Sequence, residues 1–206
     1  MFSQSVASAL REAISAGEFQ PGERLSEVKA AERFNCSRNT LRESFTRLAA
    51  ERIVERIPNR GVFLAMPDAD YIRDLFAARA AIEPAAVRWG AFPDAPSLVT
   101  LTSSAFDYAA RGEHQEVSAI NQRFHRTLVA ALGSPTLNEQ MDNLLARMRL
   151  TFLLAIPRYP QLHADHIQGN ITLATLIADG KRDEAATLAH DSLMNTCGKI
   201  LAVLED

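Results

Sequence analysis

The sequence predicts a mainly α-helical protein of two domains, and three observations support this fold class. Three segments with helical apolar spacing occupy residues 3–51, and the last two are separated by a short turn. Two segments with β-branched residues, 53–57 and 62–66, follow them and are joined by another turn. From residue 69 onward the apolar spacing is helical throughout. We therefore expect an N-terminal winged helix-turn-helix and a C-terminal antiparallel all-helical bundle.

The composition is that of a globular chain with an uneven distribution of charge. Of its 206 residues, 47% are hydrophobic and 23% are charged, which excludes a disordered chain. Residues 1–66 hold ten Lys or Arg and eight Asp or Glu, whereas residues 67–206 hold twelve and seventeen. We therefore expect any polyanion to bind the N-terminal part of the chain.

The spacing of the cysteines and the length of the apolar runs predict the cellular compartment of the protein. Cys36 and Cys197 lie far apart in the sequence, which is typical of a reducing compartment. The first residues have neither the basic start nor the apolar core of a signal peptide, and no apolar run is as long as a membrane span. These features predict a cytoplasmic protein with no membrane partner.

The third helical segment carries polar residues that suit DNA. Ser37 is a candidate N-cap for this segment, and Ser26 is one for the segment before it. Apolar residues recur at i, i+4 and i+7 from Leu41, so one face is expected to be buried. Another face presents side-chain types that bond phosphates and base edges, namely Arg38, Asn39, Thr40 and Arg42. The alternative is an ordinary solvated helix face, and the preceding helix and turn favour a recognition helix.

The predicted hairpin places polar residues at the tip of a wing. Asn59, Arg60 and Gly61 form the end of the turn between the two strands. Gly61 lets the backbone approach a surface closely, and Arg60 can reach a minor groove or a phosphate. Arg60 on its own is more simply a solvated turn residue, but its position after a helix-turn-helix favours a DNA contact.

Residues 2–66 resemble the N-terminal domain of the GntR family of bacterial transcription regulators. The resemblance rests on the residues at 9–14, 17–27, 37–43 and 56–61, which are ALREAI, GEFQPGERLSE, SRNTLRE and RIPNRG. It implies DNA contacts by Arg38, Asn39, Thr40, Arg42, Asn59, Arg60 and Gly61. It also implies a homodimer on a pseudo-palindromic operator in double-stranded DNA. One position departs from the family: Val28 stands where the family often has Arg. A phosphate or base contact is therefore expected to be missing, and the operator is expected to differ from the family's usual one.

The remainder of the chain predicts six helices, at about 69–91, 97–110, 113–132, 135–156, 160–178 and 182–204, with a kink at Pro84. The predicted domains are a DNA-binding domain at 1–66, a linker at 67–69, and an effector-binding and dimerisation domain at 70–206. This half resembles the FCD ligand-binding domain of the FadR-like branch. The matches are RAAIEP at 79–84, NQRFHRTL at 121–128 and GSP at 133–135, with a looser match over 173–193.

The resemblance raises the question of a metal. The family's bundle commonly holds a divalent metal through an Asp and a His one turn apart and two further His. Here the matching places hold His125 with three weak neutral ligands, Asn121, Asn170 and Ser192. We therefore expect no metal and no other cofactor. The alternative is a rearranged site with His125 and His166, for zinc, nickel or manganese.

Without a metal, a carboxylate effector needs other cationic partners. Arg79 matches a pocket Arg of the family, and Arg147 and Arg149 are expected on the helix that faces it. A buried Arg can bind a carboxylate through two hydrogen bonds. Neutral hydrogen bonds to hydroxyl groups are expected from Asn121, His125, Asn170 and Ser192. The resulting prediction is a repressor whose operator binding is modulated by a small organic or sugar acid. Pairing with Glu83 or exposure to solvent is the alternative for the Arg residues.

A second hypothesis comes from another class of protein. In it, the bundle is a helical enzyme with His125 as general base, and the winged helix is an accessory module. No second catalytic acid, nucleophile or intact metal set accompanies His125 in the sequence. The regulator is therefore the favoured hypothesis.

Overall fold

The computed structural model describes the backbone of residues 2–205 and the side chains of residues 5–162 and 164–205. The predicted domain ends at residues 1 and 206 lie outside this range. The described part folds into nine α-helices and three short β-strands, in agreement with the predicted fold class. In chain order these are α1 Phe2–Ser15, β1 Arg24–Leu25, α2 Glu27–Arg33, α3 Arg38–Ala50, β2 Val54–Ile57, β3 Gly61–Leu64, α4 Ala69–Trp89, α5 Ala95–Ala110, α6 His114–Ala130, α7 Pro135–Ala155, α8 Leu162–Ala178 and α9 Arg182–Glu205.

The chain divides into two compact units. The first contains Met1–Asp68 together with Asn143–Leu154, and the second contains Ala69–Asp142 together with Ala155–Asp206. The first unit therefore includes a segment of α7, which the periodicity of the sequence places in the second domain. Among the described helices, none is both long and apolar enough to cross a lipid bilayer.

The first unit is held together by the apolar faces of α1 and α3. Buried side chains on α1 and α3 include Leu10, Ile14, Leu41, Phe45 and Leu48. The N-cap predictions are confirmed, because Ser26 Oγ accepts from Lys29 N and Ser37 Oγ accepts from Thr40 N. The packing of α1 and the cap of α3 together hold the start of the predicted recognition helix.

A buried ion pair fastens the end of α3 to α1. The Arg11 guanidinium donates to both carboxylate oxygens of Glu51, with nitrogen–oxygen distances of 2.6–3.1 Å. Arg11 is buried, and Glu51 is the C-cap of α3. A two-point contact of this kind restricts the orientation of both side chains, so it positions α3 as well as stabilising it.

The three strands form one antiparallel sheet in the order β1-β3-β2. Arg24 pairs with Phe63 on one side of β3, and Glu55 pairs with the same residue on the other. Val62 and Leu64 alternate inward from β3 and are buried. The sheet follows the helix-turn-helix in the chain, so the winged arrangement predicted from the sequence is present.

The second unit is an all-helical bundle. α4 packs along α9, α5 lies between α6 and α8, and α6 also contacts α4 and α8. One apolar cluster joins α4, α5, α6, α8 and α9 and includes Val87, Leu98, Phe124, Leu128 and Leu173. Pro84 lies inside α4, which is a single helix from Ala69 to Trp89. The cluster fixes the spacing of the helices that carry the predicted effector residues.

Candidate DNA-binding and effector sites

The first turn of α3 presents the predicted DNA-binding residues to solvent. Arg38, Asn39 and Arg42 are exposed, and Thr40 is partly buried because it lies over the N-cap. The Thr40 hydroxyl is 2.9 Å from the Ser37 hydroxyl, and Asn39 Nδ2 donates to Glu43 Oε1 at 3.0 Å. The structure therefore brings four polar side chains together on an accessible helix end.

Arg42 is held by a residue of α2 that the sequence does not single out. Its Nε and Nη2 both lie 3.1 Å from Glu27 Oε2. The Arg42 side chain remains 59% exposed, so the contact orients the guanidinium without removing it from solvent. Glu27 precedes Arg42 by 15 residues, and no local spacing rule connects the two.

The tip of the wing has a turn geometry that its residues explain. Arg60 N donates to Ile57 O at 3.0 Å across Pro58 and Asn59. Asn59 has a φ of +61° and Gly61 has a φ of +113°. Proline followed by a residue with positive φ suits the two central positions of a type II turn, and Asn tolerates positive φ better than most residues. The three predicted wing residues are exposed.

Two Arg side chains lie at this tip, Arg60 and Arg24, of which Arg60 was predicted from the sequence. The Arg60 guanidinium stacks 5.7 Å from the centre of the Phe63 ring. Arg24 of β1 lies beside Gly61, where a Cβ atom would be 3.4 Å from Arg24 Nε. Arg24 is exposed and reaches the wing because β1 pairs with β3. The pairing of a two-residue strand has only a weak sequence signal, so the position of Arg24 beside the wing tip was not predicted.

The second unit contains a buried ionic cluster on α4 and α6. Arg79 Nε donates to Glu83 Oε1 at 2.6 Å, and His125 Nδ1 lies 2.7 Å from Glu83 Oε2. All three side chains are buried. Burial raises the pKa of Glu83, but the Arg79 charge and the His125 contact outweigh it and lower the pKa to about 2. The carboxylate is therefore ionised at neutral pH and balances the charge of Arg79.

Burial determines the protonation state of His125, and Glu83 determines its orientation. Burial lowers the pKa of His125, opposed by the Glu83 charge, and Arg79 lowers it further. His125 is therefore neutral at neutral pH. An ionised carboxylate only accepts hydrogen bonds, so the His125 proton lies on Nδ1 and Nε2 is an acceptor. Such a histidine is fixed in orientation by Glu83.

A small cavity lies between α5, α6 and α8. Polar atoms enter it from Asn121, Asn170 and His166, and the rest of its lining is Thr102, Ala105, Val117, Ile120 and Ile167. Asn170 Nδ2 donates to Asn121 Oδ1 at 2.7 Å, so the two amides join α8 to α6. The cavity volume is about 10 Å³, which is room for roughly one water molecule. His125 follows Asn121 by one turn of α6.

Three predicted effector residues lie elsewhere. Ser192 is exposed on α9, because Ala189 and Leu193 occupy the buried face there. Arg147 and Arg149 are buried, but they belong to the α7 segment of the first unit. A Cβ atom on Gly17 would be 2.3 Å from Arg149 Nη2, so Arg149 packs against the end of α1. None of the three residues is in the lining of this cavity, and their assignment to the effector site stays a prediction.

The residues at the family's metal positions do not fit a transition metal. Two of the positions hold the amides of Asn121 and Asn170, which are hydrogen-bonded to each other. Zinc and related metals prefer imidazole, carboxylate and thiolate ligands. His125 directs Nδ1 to Glu83, and no group of three or more His, Cys, Asp or Glu suited to a metal occurs in the described part of the chain. The expectation that no metal binds stays a prediction, and the amide chemistry of Asn121 and Asn170 supports it.

The fold agrees with comparisons to known families. The family described as "Bacterial regulatory proteins, gntR family" matches residues 2–64, and the FCD domain family matches residues 74–194. The chain therefore belongs to the GntR family of bacterial transcription regulators, in the FadR-like branch with an FCD domain. This class of protein binds DNA through its winged helix. Its members are regulators and not enzymes, so the enzyme hypothesis has no support.

Several individual proteins are similar along most of the chain. The Nta operon transcriptional regulator of Aminobacter aminovorans is 26% identical over 90% of this chain and 88% of its own. The repressor GlaR of Escherichia coli is 29% identical over 88% of each chain. A crystal structure described as a putative GntR regulator from Rhodococcus sp. RHA1 has a TM-score of 0.82 at 29% identity, covering 97% of both chains. The whole two-part architecture is thus shared with transcription regulators.

Proposed function

We propose that the protein is a cytoplasmic repressor that releases its operator when a small sugar acid or related organic acid binds the helical bundle. The observation that carries the proposal is the cavity of the second unit, whose lining includes the hydrogen-bonded amides of Asn121 and Asn170. Two relatives, both from Escherichia coli, are named as repressors. One of them is the galactonate operon transcriptional repressor, which is 28% identical over 66% of this chain. Galactonate is a sugar acid, the effector class that the sequence predicts.

On the DNA side, the contacts come from α3 and the wing. Arg38, Asn39, Thr40 and Arg42 enter the major groove, with Arg42 oriented by Glu27. Asn59, Arg60 and Gly61 contact the minor groove or a phosphate, and Arg24 adds a second charge at the wing tip. A homodimer places one recognition helix in each half of a pseudo-palindromic operator.

On the effector side, binding requires the cavity to open. A volume of about 10 Å³ does not hold a sugar acid, so the ligand has to separate the Asn121 and Asn170 amides. Both amides and His166 then bind the hydroxyl groups of the ligand. The carboxylate binds Arg79 in competition with Glu83, and His125 Nε2 accepts from a nearby hydroxyl. A ligand that binds only the opened bundle shifts the population between two states, which is the requirement for a switch.

The test is operator release by a panel of ligands. The full-length protein is bound to its promoter DNA, and release is measured by fluorescence anisotropy with galactonate, other aldonates and the neutral alditol galactitol. We expect release by at least one aldonate and none by galactitol, which has the hydroxyl groups but no carboxylate. Release by galactitol at the same concentration would show that the acid group is not recognised.

Two variants connect that release to the cavity. Asn170→Ala should bind the operator normally and require at least tenfold more aldonate for release. Gln168→Ala is the matched control, because Gln168 lies on the same helix and is exposed. Equal responses of Asn170→Ala and the wild-type protein would place the effector outside this cavity.

A further inference from the structure

Val28 is an exposed apolar residue at the beginning of α2. Its exposed fraction is 48%, and it is one of five large apolar side chains that are exposed in the described part of the chain. The others are Met66, Trp89, Phe106 and Met194. Met66 packs against Gly22, where a Cβ atom would be 2.7 Å from Met66 Cε. Val28 is thus the exposed large apolar side chain on the helix pair α2–α3.

Neither the folding of α2 nor its packing explains a valine at this position. α2 has seven residues, none of which is buried. Valine has a lower helix propensity than Ala, Lys, Arg or Glu, because its branched side chain loses rotamer freedom in a helix. A half-exposed valine recovers only part of this cost by burial. Its exposed methyl groups are available to a surface outside the chain.

The neighbouring residue places the beginning of α2 beside the proposed DNA-binding surface of α3. Glu27, immediately before Val28, holds the Arg42 guanidinium by two contacts of 3.1 Å. Arg42 is one of the residues proposed to read a base in the major groove. Val28 therefore lies one residue away from the carboxylate that positions a base-reading side chain. The exposed Arg38 and Asn39 begin the helix that carries Arg42.

We propose that Val28 reads the C5-methyl group of a thymine in the major groove, beside the base pair that Arg42 contacts. The thymine methyl is the apolar group that the major groove displays, and apolar side chains distinguish it from cytosine and from unmethylated uracil. Valine suits this contact because its single preferred rotamer in a helix leaves little entropy to lose on binding. Each half-site of the operator then contains a thymine that Val28 specifies and a guanine that Arg42 specifies.

The size of the effect follows from the area of one methyl group. Burying one methyl or methylene group contributes about 0.8 kcal/mol, which corresponds to roughly a fourfold change in Kd. The inference rests on the proposed DNA-binding surface of α3. It goes further by assigning a base to a residue of α2.

The test begins with an operator selected from randomised duplex DNA by the full-length wild-type protein. Each thymine of a half-site is then replaced by deoxyuridine, which removes only the methyl group. We expect one position per half-site at which the replacement weakens wild-type binding about fourfold. Val28→Ala should bind the thymine operator about fourfold less tightly per half-site and show no difference between thymine and deoxyuridine there.

Three further variants separate this inference from the proposed surface itself. Val28→Ile should keep the methyl discrimination, and Met66→Ala is the control for an exposed apolar residue at another place. Arg42→Ala should weaken binding to both the thymine and the deoxyuridine operators. Weaker binding by Arg42→Ala supports the DNA surface. The assignment of Val28 is nevertheless wrong if Val28→Ala still discriminates the methyl group, or if no deoxyuridine replacement weakens wild-type binding. Failure to select any operator would overturn both.

Val28→Arg provides an independent readout. Arg in the major groove prefers guanine, to which it donates two hydrogen bonds. Selection with this variant should enrich guanine at the position where the wild-type protein enriches thymine. Unchanged enrichment of thymine would show that Val28 does not face this base.

Discussion

The two candidate sites differ in whether their charged side chains are exposed or buried. On α3 and the wing, the Arg side chains stay exposed even where they are paired, as Arg42 is with Glu27. In the bundle, Arg79 is buried and its charge is balanced by Glu83, which also binds His125. A DNA-binding surface needs cations that are available to phosphates and bases. A bundle interior tolerates a cation only when the fold provides its counter-charge.

This difference has a consequence for stability and for binding. Removing a charge from the bundle leaves a buried partner without its counter-charge, so the main effect is on folding. Removing a charge from α3 leaves solvent in its place, so the main effect is on affinity for DNA. The four predictions below test this contrast, from the largest expected effect to the smallest.

The largest effect is expected for Glu83→Ala. The substitution leaves the Arg79 charge buried without its carboxylate, which costs about 3–5 kcal/mol of unfolding free energy. Chemical denaturation of the purified protein measures this loss. The control is Asp70→Ala, since Asp70 pairs with Arg73 on the surface of the same helix and its loss should change stability little.

A double variant shows whether the uncompensated charge is the cause. Arg79→Met combined with Glu83→Gln removes both charges and should recover most of the lost stability. If the double variant is as unstable as Glu83→Ala, packing and not charge dominates the cluster. Burial of a counter-charge would then not be what distinguishes the bundle from the DNA-binding surface.

The next effect is the dependence of stability on pH. The pKa of Glu83 is lowered from 4.5 to about 2 in the fold, so stability is lost as the pH falls from about 4.5 towards 2. A shift of this size corresponds to about 3 kcal/mol in total. His125 has a lowered pKa, so its neutral form also favours the fold and stability begins to fall below pH 6.5. Thermal unfolding from pH 7 to pH 3 measures both contributions.

Glu83→Gln isolates the carboxylate in this experiment. The variant should be less stable at pH 7, and its stability should decline less steeply below pH 4.5 than that of the wild-type protein. Parallel curves for the two proteins in this range would show that other carboxylates cause the acid transition. The exposed sites on α3 should contribute little to either curve.

A smaller effect, on DNA affinity and not on folding, is expected for Arg38→Ala. If Arg38 reads a base, its loss costs about 1–3 kcal/mol of binding free energy, which is roughly 5- to 150-fold in Kd. Arg123→Ala is the matched control, because Arg123 is an exposed Arg on α6. Both variants should melt at the wild-type temperature. A normal affinity of Arg38→Ala would move the recognition surface away from the start of α3.

The sequence predicted the first region in more detail than the second, and the reason is the range of the interactions. The N-caps at Ser26 and Ser37 and the turn at Asn59 involve residues within a few positions of each other. The fold class could therefore be predicted together with its elements. The contacts of Glu27 with Arg42 and of Arg24 with Gly61 connect separate elements, and they were not predicted.

In the bundle the interactions that define the site span longer distances along the chain. Glu83 and His125 are 42 residues apart, and Asn121 and Asn170 are 49 apart. The resemblance to the FCD domain pointed to Asn121, His125 and Asn170, but it did not show which side chains of facing helices meet. The Arg79–Glu83 pair, at i and i+4, was recognisable as an alternative from spacing alone. Ser192 was assigned from the same resemblance, and Arg149 from the expectation that its helix faces Arg79. Neither signal shows which neighbour a helix packs against.

The smallest loss of stability is expected on substitution of the hydrogen-bonded amides Asn121 and Asn170, which line the cavity. Asn170→Ala removes the donor to Asn121, which costs about 1 kcal/mol of unfolding free energy. Asn121→Ala should cost a similar amount, and the double variant should cost less than the sum, because both substitutions remove the same hydrogen bond. Chemical denaturation of the four proteins forms a double-mutant cycle. A coupling near zero would mean that the amides do not hold α6 and α8 together, and effector binding would not need to break this contact.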